Sequence, residues 1–450
     1  MRPGRARRYP VAAAVLLLLL ATSGCDGRQP PADDGGTGLR AAIGDCTGNA
    51  PASTQPPPTT PAGAQPPIDA GPDEIVIATD ADTSVSQRRR KLIDEWNQTH
   101  DTKARLVELR ESTDLVHADV AAAMQNGSPR YDVMLLDIPW IAEFAEEGYI
   151  RPLDGRGFDR GDFFAGPWQA GCYRGHLYAV PFTTDVGLLY CRSDLGMREP
   201  TSWVQLAAGL PPPSSNPTVK LTLATQLANY EGLTVNALEA IWSAGGHFVD
   251  KDALLDQKAR EGLTNMVRAV VAGDGTVGST DFREAGTLNA FQSGKAACMR
   301  NWPYAKDLIP TTGAHAIPFE VHPLRWQSVL GGWSLVLSAS SPRPRQAVEL
   351  IKFLTNHDNE KEVFVADGLL AARRDVYSDA EVLKNAFAAE LSQAIDRARP
   401  RPTTPHYPEV SRALRETMSG LLRADEFDPT AVDAQLDRLE VRLHGALAGR

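Results

Sequence analysis

Asp80 and Asp82 stand two residues apart, just past the short apolar run Glu74–Ala78, and are the first residues that could move protons. A carboxylate pair can supply acid and base for glycoside hydrolysis. In a chain with 56 Asp and Glu against 46 Lys and Arg, such pairs also arise by chance. No GxSxG elbow, Walker A loop, HExxH or CxxC is present, and the nine histidines lack metal-ligand spacing. Gly273-Asp-Gly-Thr-Val-Gly278 matches GxGxxG but follows a helical run, whereas a dinucleotide loop needs a strand before it. No catalytic residue, metal or cofactor is expected.

Aromatic and short polar residues are placed more tellingly. Trp140 follows Asp137 just past a buried strand, Thr183-Thr184-Asp185 follow the strand ending at Phe182, and Gly245-Gly246 close the helix containing Trp242. Trp302 and Tyr304 follow another strand, and Gly331-Gly332-Trp333 form a Gly-rich approach. Ligands of open α/β sheets sit at the carboxyl ends of strands. Aromatic faces pack on the apolar C–H face of a pyranose, while Asp, Asn and Arg serve its hydroxyls. One such Trp could equally be core; several at element ends point to a carbohydrate site.

The elements around these residues read as α/β. Glu74–Ala78, Arg105–Leu109 and Tyr131–Asp137 are strands separated by helices over Ser86–Gln98 and through Val116, Val120 and Met124. The alternation predicts a parallel sheet, with Ile138–Glu147 turning helical. Strand-like runs cover Gly175–Phe182 and Gly187–Tyr190. From Trp203 the chain reads mostly helical, with strands over Ala296–Met299 and Val329–Ser338. Ser341-Pro342 predicts a helix start, Ser as N-cap and Pro at N1. Val432, Leu436, Leu439 and Leu443 mark a core-facing last helix. A folded region of this length predicts two lobes.

The N-terminus carries Arg2, Arg5, Arg7 and Arg8, then the apolar run Val11–Ala21. That run is shorter than the about 20 residues a membrane span needs, so residues 1–24 are expected to be a signal peptide. Ala21-Thr22-Ser23-Gly24-Cys25 resembles a bacterial lipobox, with Thr22 where Leu is usual, and implies lipidation of Cys25. Residues 25–72, rich in Pro and Gly, are expected to form a tether. Losing the four arginines takes the net charge from −10 to −14, which argues against a nucleic-acid partner. Arg88-Arg89-Arg90-Lys91 is expected on a solvated helix face. Cys46, Cys172, Cys191 and Cys298 allow three pairings; Cys172 and Cys191 flank the two strand-like runs, a place for a cross-strand disulfide in an oxidising compartment.

Six stretches in order resemble the family 1 extracellular solute-binding proteins of ABC importers, in their trehalose/maltose-binding branch. They are Tyr131–Trp140 with Phe144 and Gly148, Pro181–Tyr190, Tyr230–Thr234 with Trp242 and Gly245-Gly246, Gly294–Tyr304, Gly331–Trp333 and Arg401–Tyr407. The resemblance implies a two-lobed, periplasmic-binding-protein-like (type II) α/β fold with hinge crossovers. Its lobes would be 73–184 with 333–397, and 185–332 with 398–450. It implies capture of a disaccharide-like sugar by Asp137, Asp185 and Arg401 through hydrogen bonds, and by Trp302, Tyr304 and Trp333 through stacking. Tyr230 and Glu231 carry over too, and Asp82, Trp140, Gly331 and Gly332 complete the expected site. The first loop departs from the family, reading Asp80-Ala-Asp82-Thr-Ser84 where Glu or Asn is frequent. Expected partners are the sugar and the importer's permease, with a monomer on the outer face of the cytoplasmic membrane. A non-sugar solute on the same fold and a secreted glycosidase are the rival readings.

Overall fold

The computed structural model describes Cys46 and residues 74–448, apart from 83, 85, 111–112, 126–129, 197–198, 209–215, 249–253, 274–275, 314–315 and 386. The expected signal peptide, the lipidation site Cys25 and all of the expected tether except Cys46 therefore lie outside the described residues.

The chain begins with β1 (Glu74–Thr79), α1 (Arg88–Thr99), β2 (Lys103–Glu108), α2 (Thr113–Gln125) and β3 (Val133–Asp137). Pro139 sits in a 3-10 turn that leads into α3 (Ile141–Glu146). Next come β4 (Ile150–Arg151), α4 (Ala165–Ala170), β5 (Cys172–Tyr173), β6 (His176–Leu177), β7 (Ala179–Val186) and β8 (Leu188–Arg192). Then follow α5 (Trp203–Ala207), β9 (Leu221–Ala224), α6 (Glu231–Ser243), α7 (Gln257–Val271), α8 (Glu284–Gln292), β10 (Ala296–Asn301), α9 (Ala305–Leu308) and β11 (Phe319–Pro323). The last part holds β12 (Val329–Ser338), α10 (Pro344–Leu354), α11 (His357–Asp367), β13 (Leu370–Ala371), α12 (Ala388–Arg397), β14 (Arg399–Pro400), α13 (Tyr407–Leu422) and α14 (Pro429–Leu447).

Two sheets organise these elements. The first runs β13-β7-β12-β3-β1-β2, with β4 and β14 also pairing to β12; the second runs β11-β8-β10-β9. β1 is parallel to β2 and β3, as the alternation predicts. β12 departs from that expectation, running antiparallel to both β3 and β7. The reason is its origin: it arrives from the end of the second sheet rather than by a helical crossover within the first. From Trp203 the chain is mostly helical, as its patterning predicts; β9 and β11 are strands it did not announce, and with the expected β8 and β10 they form a sheet of their own.

Three crossovers join the sheets, at Gly187 between β7 and β8, at Ser328 before β12, and at β14. Ser328 ties them together: its Oγ accepts from Gly187 N–H at 2.8 Å, and its carbonyl accepts from Arg399 N–H at 2.9 Å. On each side of the crossovers lies an apolar core. One gathers β1, β3 and β12 with Trp96, Trp168 and the stripe Ala347, Leu350, Ile351 and Leu354 of α10. The other gathers α6, α7 and α13 around the predicted stripe Val432, Leu436, Leu439 and Leu443 of α14.

Three local expectations need correction. The helix after β12 starts at Pro344, with Arg343 in the cap position, not at Ser341-Pro342. Ser341 is drawn elsewhere: its Oγ donates to the buried Asp132 Oδ1 at 2.6 Å. Within Arg88–Lys91, Arg89 is not simply solvated; it pairs with Asp80 and lies 3.7 Å from Asp82 Oδ2. Cys172 does not bond Cys191. The disulfides are Cys46–Cys172 and Cys191–Cys298, the second linking residues directly opposite in the antiparallel β8–β10 pair. Cys46 is buried and its carbonyl accepts from Trp168 Nε1 at 3.2 Å, so this residue of the expected tether is fastened to the first sheet's core.

Candidate functional site

β3 is buried along its whole length and ends at Asp137, where Pro139 turns the chain away and leaves the carboxylate at the strand's carboxyl end. β12 lies between β3 and β7, and its register decides what faces what. Trp333 is opposite Asp137 on one side and Thr183 on the other, while Gly331 is opposite Asp185. A bulge follows Trp333. The Trp333 ring meets Trp140 edge-on, with centroids 5.8 Å apart and planes at 89°, a geometry favoured by ring quadrupoles. Trp140 itself is buried, and Trp333 is partly exposed.

The second sheet supplies the facing wall. Trp302 follows β10, and its backbone is held at both ends: Asn301 Oδ1 accepts from its N–H at 2.8 Å, and Tyr190 Oη donates to its carbonyl at 2.8 Å. Behind the ring, the Arg300 guanidinium lies 4.0 Å from the centroid. Arg300 is in turn fixed by Glu239 at 2.7 Å, a pair with almost no exposure. A Cβ built on Gly331 would lie 3.4 Å from the Trp302 ring and 3.0 Å from Asp185 Cβ. Gly331 is therefore where the strand and the ring approach, with Asp185 beside them.

Asp185 Oδ1 is buried and has no hydrogen-bond partner among the described residues. Burial pushes its carboxyl up to about 7, helped by the neighbouring charges of Asp137 and Asp80 and opposed by Arg300 and Arg401. Burial likewise raises the Tyr304 hydroxyl, with Glu284 and then Asp185 adding to the effect.

Arg401, just past β14, is buried and forks onto Asp137, with Nη1 2.9 Å from Oδ2 and Nη2 on Oδ1. Nη1 also reaches Glu231 Oε1 at 2.9 Å. Glu231 opens α6 and accepts further from Tyr407 Oη and from Ser411 Oγ, the latter at 2.6 Å. Burial disfavours the Arg401 charge, but Asp137, Tyr407 and Glu231 outweigh it and hold the group above the ordinary arginine value. Burial raises the Asp137 carboxyl, and Arg401 offsets this in part. This network joins the first sheet, a crossover and α6.

The arrangement brings aromatic faces, an unpartnered acceptor and a braced arginine together at the crossovers between two α/β bodies. The family of bacterial extracellular solute-binding proteins matches residues 91–389. This chain belongs to that family. The solute-binding protein is 28% identical over 388 residues to the "Probable ABC transporter-binding protein" of Deinococcus radiodurans, covering 78% of this chain and 90% of that one. Its fold is similar to the maltose-bound MalE3 of T. maritima, with TM-score 0.73, 28% identity, and 82% and 99% of the two chains covered. It is also similar to UgpB of Mycobacterium tuberculosis in complex with glycerophosphocholine, with TM-score 0.70, 20% identity, and 83% and 99% covered. The two-lobed α/β architecture is thus that of extracytoplasmic solute receptors. No helix among the described residues is long and apolar enough to cross a membrane.

Against this fold, the expected site residues divide. Asp137, Trp140, Asp185, Trp302, Gly331, Trp333 and Arg401 are linked by the contacts above, and Tyr304 by its charge coupling to Asp185. Gly332 lies at φ +130° against the Thr183 carbonyl and shapes the strand. Asp82 Oδ1 accepts from Ser84 N–H at 3.0 Å, and its buried Oδ2 has no hydrogen-bond partner among the described residues; Asp80 is the first-loop group whose charge reaches Asp185. Glu231 is occupied by Arg401, Tyr407 and Ser411, which makes it a positioning residue. Tyr230 is buried under the Arg283 guanidinium, 4.6 Å from its centroid. Sequence reasoning missed Arg300 and Glu239. Their signal was available: one arginine in a strand of buried residues, and one glutamate on the apolar side of a helix, need each other.

Proposed function

We propose that this protein is the ligand receptor of an ABC importer, lipid-anchored at Cys25, that captures a disaccharide-like carbohydrate of the trehalose or maltose kind. Its lobes, 73–184 with 333–397 and 185–332 with 398–450, close on the ligand and present it to the permease without chemical turnover. The observation that carries this reading is Asp185 Oδ1, buried without a partner beside the Trp302 ring. A stacked pyranose would bring hydroxyl donors to that atom. The likeness to a maltose-bound protein supports the class of ligand, and the lipobox-like Ala21–Cys25 supports the anchor.

A second reading is a solute with a cationic headgroup. Asp185, left without a partner beside the Trp302 ring, favours it, since aromatic faces hold quaternary ammonium, whereas Asp137 and Asp80 are taken by Arg401 and Arg89. A glycerophosphocholine-bound neighbour of the same fold is consistent with it.

Isothermal calorimetry on the mature protein with trehalose, maltose and glycerophosphocholine separates the readings. Saturable heat with either disaccharide alone supports the first. Binding of glycerophosphocholine alone supports the second. Release of glucose during incubation with the disaccharides would contradict both. Mass spectrometry of membrane-extracted protein tests the anchor; an unmodified N-terminus that does not begin at Cys25 would remove it.

A further inference from the structure

At the outer edge of the second sheet, three side chains converge on one point. β11 is the edge strand there, and Glu320 and His322 are two residues apart on it, so both project from the same face. Glu199, from the segment after β8, comes to meet them. His322 Nε2 lies 3.3 Å from Glu199 Oε1 and 3.5 Å from Glu320 Oε2. One ligand atom from each of the three residues lies within 4.8 Å of the other two. No other group of three or more such residues among the described ones meets this condition.

We infer that Glu199, Glu320 and His322 form a binding site for a zinc ion. Zinc takes imidazole nitrogen at about 2.0–2.1 Å and carboxylate oxygen at about 2.0–2.2 Å, in tetrahedral geometry. Tetrahedral ligands at those lengths stand about 3.3–3.5 Å apart, the spacing found between His322 and each glutamate. Two carboxylates and one imidazole also neutralise the dication, and the residues are partly exposed, which leaves an entry path and a position for water. The imidazole ligand disfavours magnesium and calcium, which prefer all-oxygen sites.

An edge strand does need charged residues to resist pairing with other chains, and a His between two glutamates satisfies that need alone. What goes beyond it is the arrival of Glu199 from a separate segment onto the same nitrogen. Its other oxygen, Oε2, faces Arg325 at 3.6 Å, which leaves Oε1 turned toward His322. The site also lies near two crossovers. β8 begins immediately after Gly187, and β11 leads through Trp326 to Ser328, the residue that ties the crossovers together. A bound ion would pin those two segments at the base of the hinge.

The test is calorimetric titration of the untagged, chelator-stripped mature protein with zinc chloride, repeated on His322→Gln and Glu199→Gln. The expected result is one zinc per chain, with binding weakened at least about tenfold in each variant, as even outer-shell losses cost about 10–100-fold. X-ray absorption at the zinc edge should show nitrogen and oxygen neighbours without sulfur. Both substituted side chains are partly exposed, so the variants should fold, and circular dichroism confirms it. Absence of zinc binding by the wild type would overturn the inference. Equal affinity in wild type and His322→Gln, or magnesium displacing the zinc, would overturn it as well.

Discussion

Gly331 stands directly opposite Asp185 across the β7–β12 pair, and a Cβ at 331 would reach within 3.0 Å of Asp185 Cβ and 3.4 Å of the Trp302 ring. The absence of a side chain there leaves the space in which an acceptor and an aromatic face can address one ligand. Its neighbour Gly332 is glycine for a different reason: φ is +130° and a Cβ would lie 2.5 Å from the Thr183 carbonyl oxygen. The two positions should therefore separate function from folding. Gly331→Ala is expected to weaken ligand binding about tenfold, or about 1.4 kcal/mol, with a smaller loss of stability than at Gly332, since here a side-chain Cβ rather than a backbone carbonyl has to shift. Gly332→Ala is expected to destabilise the fold by about 3 kcal/mol or more, because strain and backbone overlap combine. Calorimetry and urea unfolding on the pair distinguish them.

Asp185 gives a pH prediction. Its carboxyl titrates at about 7 in the folded protein, against about 4 when unfolded. The folded state thus holds this proton more tightly. The stabilisation is complete below pH about 4 and is lost as pH rises through about 7. Asp185→Asn should flatten the stability profile across that window in urea titrations. Ligand binding runs the other way, since an ionised acceptor makes the stronger hydrogen bond. Affinity should rise from pH about 5.5 to 8 in the wild type and stay level in Asp185→Asn. A wild-type affinity independent of pH would take Asp185 out of contact with the ligand.

Arg401 is expected to be a stability residue as well as a site residue. Its removal leaves Asp137 and Glu231 buried and uncompensated, and breaking a buried pair in that way costs about 3–5 kcal/mol. Arg401→Ala should lower the urea midpoint accordingly without changing the slope. Arg401→Lys keeps the charge but not the fork that matches Asp137, so its loss should be smaller. If the two variants unfold at the same midpoint, it is the geometry of the fork rather than the charge that stabilises the network.

Much of this was legible in the residue pattern because burial and strand ends are local properties. The apolar run through Leu136 announces a two-face-buried strand, and the polar residue that ends it, Asp137, has to sit at a strand's carboxyl end. The register of β12 was not legible, because nothing in Gly331–Trp333 says which strands flank it. That register is what sets Trp333 against Asp137. The first loop was not legible for a related reason. Asp80 and Asp82 look equivalent in the chain, but Arg89 pairs with Asp80, while Ser84 takes Asp82 Oδ1 and leaves the buried Oδ2 without a hydrogen-bond partner among the described residues. Glu231 likewise looks free in sequence and is engaged by residues some 170–180 positions away.

The disulfides give the last prediction, because spacing alone left three pairings open and the sheet register chooses between them. β8 and β10 place Cys191 opposite Cys298, and β5 places Cys172 under Trp168, whose indole also binds Cys46. The Cys191–Cys298 bond closes 107 residues of chain and the Cys46–Cys172 bond closes 126. Loops of that size restrict the unfolded chain strongly, and each bond should be worth about 2–4 kcal/mol. Replacing both members of one pair with serine should lower stability by that amount. Ligand affinity at low temperature should be unchanged in the Cys191→Ser/Cys298→Ser variant. Peptide mapping without reduction should recover Cys46 with Cys172 and Cys191 with Cys298. Recovery of a Cys172–Cys191 peptide would contradict the register of β8 on β10, and with it the placement of Trp302 that depends on that strand.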